Sequence, residues 1–403
     1  MFVTHLESAL DGTSYPPGQI LTVHEGRPLW VRYDLPAVKK ALRPEDLGNR
    51  VNSLWRYREL LPLPAIAEPV TLGEGMSPLL PCPRLGKELG LERLAIKDEG
   101  QLPTASFKSR GMTTAVSMAR HFGIKRLAVP TAGNAGGALA AYGARAGMEV
   151  YVFVPDDTPV INQMEAYLCG AKVFLVNGLI NDCGRIVREG ADKMGWFDMS
   201  TLKEPYRLEG KKTMGLELAE QRGWALPDVI FYPTGGGTGL IGMWKAFAEL
   251  GELGWLKTPK LPKLVSCQSD GCAPIVRAFE QGLRFAELFP NAHTAASGLR
   301  VPQAVGDFMM LDAIRASGGW ALAGRETRII DWMRRAAGAE GIAICPETAV
   351  CLDCLESLVR SGQVRPDDEI VIFNTGAAQK YPEVVPLDLP RLDKNKPIRY
   401  QDL

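Results

Sequence analysis

Strand-like apolar runs alternate with amphipathic helical stretches from Leu94 onward. The runs RLAVPT, EVYVFVP and KVFLV are separated by helical patterns through NAGGALAAYGARAG and VINQMEAYLCG. Short turns connect them, and this alternation is typical of parallel βαβ units. Further units follow at PDVIFYPT, KLVSCQS and DEIVIFNTG. The pattern predicts an α/β fold whose ligands bind at the carboxyl ends of the parallel strands.

Residues 1 to about 70 follow a different pattern. They are rich in proline and turn-forming residues, with short strand-like pieces at ILTV and PLWVRYDL. Because 403 residues exceed one ordinary hydrophobic core, we expect two lobes and a small N-terminal appendage.

Composition and charge narrow the classes of partner. The chain carries 46 basic and 46 acidic side chains, so no long-range field favours nucleic acid or an anionic membrane. The N-terminus lacks a basic start followed by an apolar core, and no apolar run of about 18 residues occurs. The eight cysteines are scattered and none precedes Cys82, which excludes a cysteine zinc site in the appendage. These features predict a reduced cytoplasmic protein without a metal site, and any anion site must be local.

The stretch LPTASFKSRG, from Leu102 to Gly111, places a lysine at the start of a predicted helix. Lys108 follows Phe107, and a partly desolvated lysine near a helix N-terminus loses its proton more easily. Its free amine is then available near neutral pH for imine chemistry. The alternative for such a lysine is a solvated charge in the cap region of the helix.

A glycine-rich loop, PTGGGTG, lies between the strand DVIFY and the helical run LIGMWKAF. Its backbone N–H groups and the helix N-terminus can bind a phosphate without a basic side chain, although a plain flexible turn would have the same composition. Two nucleotide-binding motifs are excluded. A P-loop is excluded because Pro205 stands before EGKKT at the position where that motif needs its first glycine. A dinucleotide site is excluded because it needs an acidic residue after a second strand, whereas Glu252 follows a helix.

Two further turns follow predicted strands. In TAGNAGG, Asn134 can present its amide at a helix start, either to a ligand or as an ordinary N-cap. In NTG, the hydroxyl of Thr375 stands at the carboxyl end of the strand EIVIF, where a threonine is otherwise a turn residue. Both turns are therefore candidates for the same ligand site as the lysine and the glycine loop.

Taken in order, KDEG, LPTASFKSRG, TAGNAGGALAAY, EPYRLEGKKT, PTGGGTG and NTG resemble the threonine synthase branch of the tryptophan synthase β-like pyridoxal-phosphate enzymes, the fold type II family. The resemblance covers residues 71–380. It implies two open, twisted, mostly parallel sheets with helices on both faces. It also implies an appendage at 1–70, a large cofactor-binding domain at 71–119 and 206–403, and a small domain at 120–205.

The resemblance implies a role for each matching position. Lys108 would hold pyridoxal phosphate as a Schiff base and move the α-proton of an amino-acid substrate, with Phe107 packed against the cofactor. Asn134 would bond to the phenolic oxygen of the cofactor, and Thr375 would lie near its pyridine nitrogen. A neutral hydroxyl there leaves the ring a weaker electron sink, which suits elimination or replacement. The remaining implied positions are Gly235, Gly236, Gly237, Thr238 and Gly239 around the cofactor phosphate, and Ser106, Thr131 and Arg207 toward the substrate.

Some positions depart from the pattern of threonine synthases. The stretch that helps to hold the substrate phosphate in those enzymes is here TLKEPYR, which keeps Arg207 but has Thr201 and Leu202 at positions of small polar donors. Ala135 stands where a hydroxyl residue usually follows the asparagine, and it can donate no side-chain hydrogen bond. The candidate cations for the distal group of a substrate are Lys172, Lys203, Arg207 and Lys211.

Three functions therefore stay open. The first is threonine synthase or a close relative, which converts O-phospho-L-homoserine and water to L-threonine and phosphate. The second is a β-eliminating or β-replacing enzyme on a hydroxy or activated amino acid, such as a serine or threonine dehydratase or a cysteate synthase-like enzyme. The third is a non-catalytic relative that binds a ligand, against which the intact Lys108, Asn134 and glycine loop argue. Family members often pair as homodimers, and we expect the segment SLWRYRELLPLP to contribute to such a contact.

Overall fold

The computed structural model describes residues 2–398 and 400. Residue 1 of the predicted appendage, and residues 399 and 401–403 of the predicted large domain, lie outside the described residues. Within the described part, none of the helices combines the length and the apolar character that a membrane crossing requires.

Apolar runs rich in valine, isoleucine and phenylalanine form the strands, because these side chains pack well on a pleated surface. The strands of the described chain are β1 (Val3–Ser8), β2 (Ser14–Tyr15), β3 (Leu29–Tyr33), β4 (Leu79–Pro81), β5 (Arg93–Asp98), β6 (Arg126–Pro130), β7 (Glu149–Pro155), β8 (Lys172–Val176), β9 (Phe197–Asp198), β10 (Val229–Pro233), β11 (Lys263–Ser269), β12 (Trp320–Gly324) and β13 (Glu369–Asn374).

The strands form three sheets. Six strands have the order β12-β11-β10-β13-β5-β4, and every neighbouring pair is parallel except β4 with β5. Four strands form a second, fully parallel sheet in the order β8-β7-β6-β9. All four lie between residues 126 and 198, whereas the six-stranded sheet takes strands from both sides of that span. The prediction of two open, mostly parallel sheets is confirmed.

The N-terminal segment forms the third sheet, antiparallel and ordered β2-β1-β3. Leu6 pairs with Val31 across it, and both side chains are buried. The prediction of a strand at ILTV is wrong, because residues 20–23 form no strand and Ile20 is about half exposed.

Helices connect the strands and cover the sheets. Most bury one face against a strand layer, whereas α3, α7 and α12 are buried on almost all sides. Those of the described chain are α1 (Leu35–Ala41), α2 (Pro83–Leu89), α3 (Lys108–His121), α4 (Ala135–Arg145), α5 (Val160–Leu168), α6 (Ile180–Met194), α7 (Tyr206–Gln221), α8 (Thr238–Leu253), α9 (Pro274–Glu280), α10 (Asp307–Ala316), α11 (Ile329–Glu340) and α12 (Pro346–Arg360).

Both faces of the six-stranded sheet are buried. Successive residues of a strand point to opposite faces. Ile230 and Tyr232 of β10 belong to the core that contains α7, α8 and α10, whereas Val229 and Phe231 belong to the core that contains α2, α11 and α12. This explains why the central strands read as continuous apolar runs, and it confirms helices on both faces.

The segment SLWRYRELLPLP does not present an apolar surface to a second subunit. It forms a 3₁₀ helix at Leu54–Leu60, in which Trp55 and Tyr57 are buried in the core of the chain itself. The indole Nε1 of Trp55 donates to Oε1 of Glu74 at 3.1 Å. Because its apolar side chains are already covered within the chain, no apolar surface of this segment supports the predicted subunit contact, which stays a prediction.

Helix α3 is fixed by buried charges. Arg110 donates from Nε to Glu99 at 2.5 Å and from Nη1 to Glu217 at 2.8 Å. Glu217 also pairs with Lys97, and all four side chains are fully buried. We call these four residues the Arg110 cluster. It holds the first turn of α3, and therefore Lys108, against β5 and α7.

Candidate active site

The turn before Lys108 is joined to the turn that carries Thr375. Ala105 has a left-handed backbone, with φ of 47°, which is uncommon for a residue with a side chain. The amide of Phe107 donates to the carbonyl oxygen of Thr375 at 3.1 Å, and the amide of Ala377 donates to that of Ala105 at 2.9 Å. These two hydrogen bonds bring the start of α3 to the end of β13.

Lys108 and Thr375 open into a cavity of about 340 Å³, a volume typical of small-molecule sites. Residues that follow β6, β10 and β13 line it, so it lies at the carboxyl ends of strands from both parallel sheets. The predicted site residues that line it are Phe107, Lys108, Thr131, Asn134, Gly235, Gly236, Gly237, Thr238, Gly239 and Thr375.

The environment of Lys108 favours a free amine. Its Nζ lies 4.1 Å from the centroid of the Phe107 ring. Burial is the largest of the causes that lower the pKa of Lys108 to about 8. The positive charges of Arg207 and Lys380 lower the pKa as well, whereas the negative charge of Glu347 raises it. An appreciable fraction of Lys108 is therefore unprotonated near neutral pH.

This pKa predicts how cofactor capture depends on pH. We expect the rate at which apoenzyme captures pyridoxal phosphate to rise with pH and to level off above about 8, because only the unprotonated amine reacts. Arg207→Gln removes a nearby positive charge, so the pKa of Lys108 and the midpoint should move to higher pH. Stopped-flow visible absorbance measures the rate, and Arg207→Lys, which keeps the charge, should keep the midpoint. Equal midpoints for all three proteins would contradict this account.

The glycine loop after β10 allows a close approach of the backbone. Gly237 has φ of 77° and directly precedes Thr238, the first residue of α8. A Cβ at Gly237 would lie 2.1 Å from Sδ of Met310, and one at Gly235 would lie 2.4 Å from the carbonyl oxygen of Gly298. Side chains at these positions would clash, whereas glycines leave the N–H groups at the start of α8 open to a phosphate.

Asn134 precedes α4 without capping it. Its side chain makes no capping hydrogen bond; instead Nδ2 donates to the hydroxyl of Tyr381 at 3.0 Å. The buried Oδ1 has no hydrogen-bond partner among the described residues. Leaving a buried polar atom unpaired costs about 1–3 kcal/mol, so this arrangement favours a ligand-binding role over the N-cap. Thr131 is engaged within the same turn, where its hydroxyl accepts from the amide of Gly133 at 3.0 Å.

Thr375 has an uncharged neighbour. Its hydroxyl lies 3.7 Å from Sγ of Cys345, which in turn lies 3.2 Å from the hydroxyl of Thr348. Burial raises the pKa of Cys345 to about 12, so the thiol stays neutral. This surrounding is compatible with the predicted position of Thr375 at a pyridine nitrogen that carries no proton.

Two predicted substrate contacts do not line the cavity. Ser106 is fully buried, and its hydroxyl has no partner among the described residues. Arg207 is 1% exposed, and its Nη1 donates to the carbonyl oxygen of Met199 at 2.6 Å. Arg207 therefore acts on Lys108 as a nearby charge from behind the cavity wall.

The other three predicted cations lie in different places: one in the cavity wall, one on the surface and one in the core. Lys203 lines the cavity. Lys172 is exposed and pairs with Glu149 at 2.9 Å, and Lys211 is buried behind Phe107, with its Nζ 4.1 Å from the ring centroid. Only Lys203 of these three could contact a ligand in the cavity.

The sequence reasoning missed several lining residues: Arg188, Ser297, Arg300, Glu347 and Tyr381. Tyr381 could have been found, because it follows closely on the NTG turn and the chain must turn back there. Glu347 has no local signal, since the backbone group that holds it, Gly298, is remote in sequence. Within residues 2–398 and 400, no three His, Cys, Asp or Glu side chains lie close enough to hold a metal ion.

Comparisons with known proteins agree with this geometry. The family model for pyridoxal-phosphate dependent enzymes matches residues 70–376. The chain is 34% identical over 374 residues to the threonine synthase of Methanocaldococcus jannaschii, and the alignment covers 92% of this chain and 92% of that one. It is 36% identical over 356 residues to the threonine synthase of Methanosarcina acetivorans, covering 88% of this chain and 86% of that one.

Solved structures show the same fold. A diaminopropionate ammonia lyase from Escherichia coli superimposes with a TM-score of 0.67 at 17% identity, covering 78% of this chain and 88% of that one. Maize serine racemase superimposes with a TM-score of 0.65 at 19% identity, covering 75% and 88%. The buried lysine, the unpaired amide atom of Asn134 and the open glycine loop fit the cofactor that this fold implies. The chain therefore belongs to the pyridoxal-phosphate dependent enzymes of fold type II, with pyridoxal phosphate as its cofactor.

Proposed function

We propose that this enzyme is a threonine synthase that converts O-phospho-L-homoserine and water to L-threonine and phosphate. The observation that carries the proposal is the cationic wall of the cavity, to which Arg188, Lys203 and Arg300 contribute. Arg300 forms an ion pair with Asp157 at 2.8 Å. Lys203 is more weakly paired, with its Nζ 3.9 Å from the nearest oxygen of Asp198, and Arg188 has no ion pair among the described residues. Arg188 and Lys203 are thus available to a phosphorylated substrate.

The departures from the threonine synthase pattern are compatible with this activity. Leu202 has φ of 60° and faces the core, where its Cδ1 would lie 2.3 Å from a Cβ at Gly306. A polar side chain at position 202 would therefore not reach the cavity, whereas Thr201 lines it. Ala135 lacks a hydroxyl, but it begins α4, whose first N–H groups can still bind the carboxylate of an amino acid.

Each part of the site has a separate role in the proposed reaction. When bound, pyridoxal phosphate supplies an electron sink for the pair left at the α-carbon. Lys108, with its pKa of about 8, takes the α-proton and returns it. The glycine loop holds the cofactor phosphate, and the N-terminus of α4 orients the substrate. Arg188 and Lys203 neutralise the distal phosphate of the substrate and the phosphate ion that leaves.

The experiment that tests the proposal is an assay of purified holoenzyme with O-phospho-L-homoserine. We expect phosphate and threonine to appear in equal amounts, with little 2-oxobutanoate. L-Serine and L-threonine are assayed in parallel for ammonia and keto acid. A visible cofactor spectrum that does not respond to O-phospho-L-homoserine, together with no phosphate release, would refute the proposal.

A second candidate is a β-eliminating or β-replacing enzyme on a hydroxy or activated amino acid. The methyl group of Ala135 in the cavity wall favours it, because a phosphorylated substrate has lost one donor there. Keto acid and ammonia from serine or threonine, without phosphate release from phosphohomoserine, would support this candidate. Since the chain belongs to an enzyme family and keeps Lys108, the non-catalytic interpretation has lost its support.

The enzyme acts as a cytoplasmic homodimer in this proposal. All eight cysteines are free thiols, which suits a reducing compartment. Edge strand β8 and helix α5 expose large apolar side chains, with Tyr167 72%, Leu168 75% and Leu175 59% exposed. Such a patch beside an open sheet edge is typical of a contact between subunits. Sedimentation velocity of the purified chain measures its mass.

A further inference from the structure

Glu347 is the only acidic side chain among the described residues that line the cavity. The same wall carries Lys108, Arg188, Lys203 and Arg300, so it is otherwise suited to anions. A carboxylate buried without a paired cation costs several kcal/mol unless hydrogen bonds compensate. The electrostatics of substrate binding do not explain why the enzyme has this group.

The position of Glu347 is well defined. It is 3% exposed and lies in the first turn of α12, where the helix dipole favours a negative charge. Its Oε1 accepts from the amide of Gly298 at 2.8 Å. A Cβ at Gly298 would lie 2.7 Å from the same oxygen, so the glycine permits this contact. One carboxylate oxygen is therefore held by the backbone.

The other oxygen is not bound to the backbone. Oε2 of Glu347 is buried and has no partner of normal hydrogen-bond geometry among the described residues. The hydroxyl of Tyr381 lies nearby: burial raises the pKa of Tyr381, and the charge and the hydrogen bonding of the Glu347 carboxylate raise it further. That hydroxyl accepts from Asn134 at 3.0 Å, so its own proton can be donated to Glu347. A carboxylate oxygen can accept two hydrogen bonds, so Oε2 can also accept one from a small polar group in the cavity.

The geometry points to Glu347 as a further catalytic residue, the base that takes a proton from water as it adds to the β-carbon of the substrate. This inference rests on the proposed function. Phosphate and carboxylate groups are repelled by Oε2, whereas water or a hydroxyl can donate to it. Lys108 is occupied with the α-proton, so the β-carbon needs a second group for its proton transfer.

The step balances in both directions. Loss of phosphate breaks the bond from the γ-carbon to oxygen and takes one proton from the α-carbon and one from the β-carbon. The γ-carbon then takes a proton and becomes the methyl group of threonine, which leaves a double bond between the α- and β-carbons. The oxygen of water bonds to the β-carbon, an O–H bond breaks, and the proton moves to Oε2 of Glu347. The electron pair of the double bond shifts to the α-carbon, which takes a proton from Lys108. In the reverse direction Lys108 removes the α-proton, the bond from the β-carbon to oxygen breaks, and the protonated Glu347 gives its proton to the departing hydroxyl.

The test uses the variant Glu347→Gln and measures proton transfer at the α-carbon separately from addition of water at the β-carbon. With O-phospho-L-homoserine at pH 9, we expect phosphate release to continue while the threonine formed per phosphate falls by about a hundredfold or more, the usual contribution of a general base. The diverted product is 2-oxobutanoate with ammonia. Exchange of the α-hydrogen in deuterated water, followed by NMR, should stay near the wild-type rate. At pH 9 Lys108 is largely unprotonated, so a further fall in its pKa has little effect.

Glu356→Gln is the matched control. It removes a carboxylate from the same helix, one that pairs with Arg325, Arg328 and Arg360 away from the cavity. It should keep the threonine yield of the wild type. The visible cofactor spectrum and the far-ultraviolet circular dichroism of each variant show whether the fold and the bound cofactor are retained.

Two outcomes with O-phospho-L-homoserine would overturn the inference, and a further test applies if the wild type does not convert that substrate. An unchanged ratio of threonine to phosphate in Glu347→Gln would show that another group activates the water. Loss of α-hydrogen exchange together with product would show that Glu347 only supports Lys108. If the wild type releases no phosphate from phosphohomoserine, the proposed function fails, and loss of water from L-threonine or L-serine decides the role of Glu347. An unchanged rate of water loss in the variant, or none in the wild type, then overturns the inference.

Discussion

Lys108→Ala should lose the covalent bond to the cofactor and reduce turnover by about a thousandfold or more, in the range that removal of a general base produces. Two functions should disappear together, because in the proposed function the same amine holds the cofactor and moves the α-proton. The neighbouring buried lysine cannot replace it. Lys211, also next to Phe107, does not line the cavity, and its Nζ is held by the carbonyl oxygen of Phe107.

Borohydride reduction followed by peptide mass mapping measures this directly. In the wild type the reduced cofactor should be found on the peptide that contains Lys108, and in Lys108→Ala it should be found on no peptide. Lys87→Ala removes an exposed lysine of α2 and should behave as the wild type. Because the glycine loop remains, the variant should still bind pyridoxal phosphate reversibly. Reduced cofactor on a different lysine in the wild type would refute the assignment of Lys108.

The strands and the two main sheets could be predicted because their signal is local. A run such as DEIVIFNTG shows its apolar strand and its polar end within nine residues, and β13 occupies Glu369–Asn374. The strand ends could also be combined into one site, since parallel strands bring their carboxyl ends to one edge. Lys108, Asn134, Thr375 and the glycine loop met in one cavity for this reason.

Features set by long-range packing could not be predicted. The apolar segment SLWRYRELLPLP is equally consistent with a surface contact and with the core, and only tertiary packing buries Trp55 and Tyr57. Arg207 matches a substrate-binding position, but its place on α7 puts it behind the cavity wall. Glu347 enters the cavity through the contact with Gly298, which no spacing in the sequence indicates.

The Arg110 cluster is the feature of the core on which we expect stability to depend most. Burial would raise the pKa of Glu217, but Arg110 and Lys97 outweigh it and lower the pKa from 4.5 to about 2. A carboxyl with a lowered pKa in the folded state contributes stability that is fully present above the unfolded value. That contribution is lost as the pH falls from about 4.5 toward 2. The cluster therefore links the stability of α3 to the ionised form of Glu217.

Arg110→Met should lower the free energy of unfolding by about 3–5 kcal/mol at pH 7, because it leaves Glu99 and Glu217 buried opposite Lys97 alone. Urea unfolding followed by circular dichroism measures the change. Arg120→Met makes the same substitution at an exposed position of α3 and should cost less than about 1 kcal/mol.

Charge balance predicts how a second substitution changes this result. Arg110→Met combined with Glu217→Gln leaves one cation, Lys97, and one carboxylate, Glu99. We expect the double variant to be destabilised less than the sum of the two single variants, since groups in one network are not additive. In Arg110→Met the pKa of Glu217 rises toward its unfolded value, so the stability that Glu217 loses on acidification should be smaller than in the wild type. Additive effects and an unchanged acid limb would show that the four charges do not act as a unit, and that packing alone holds the helix that positions Lys108.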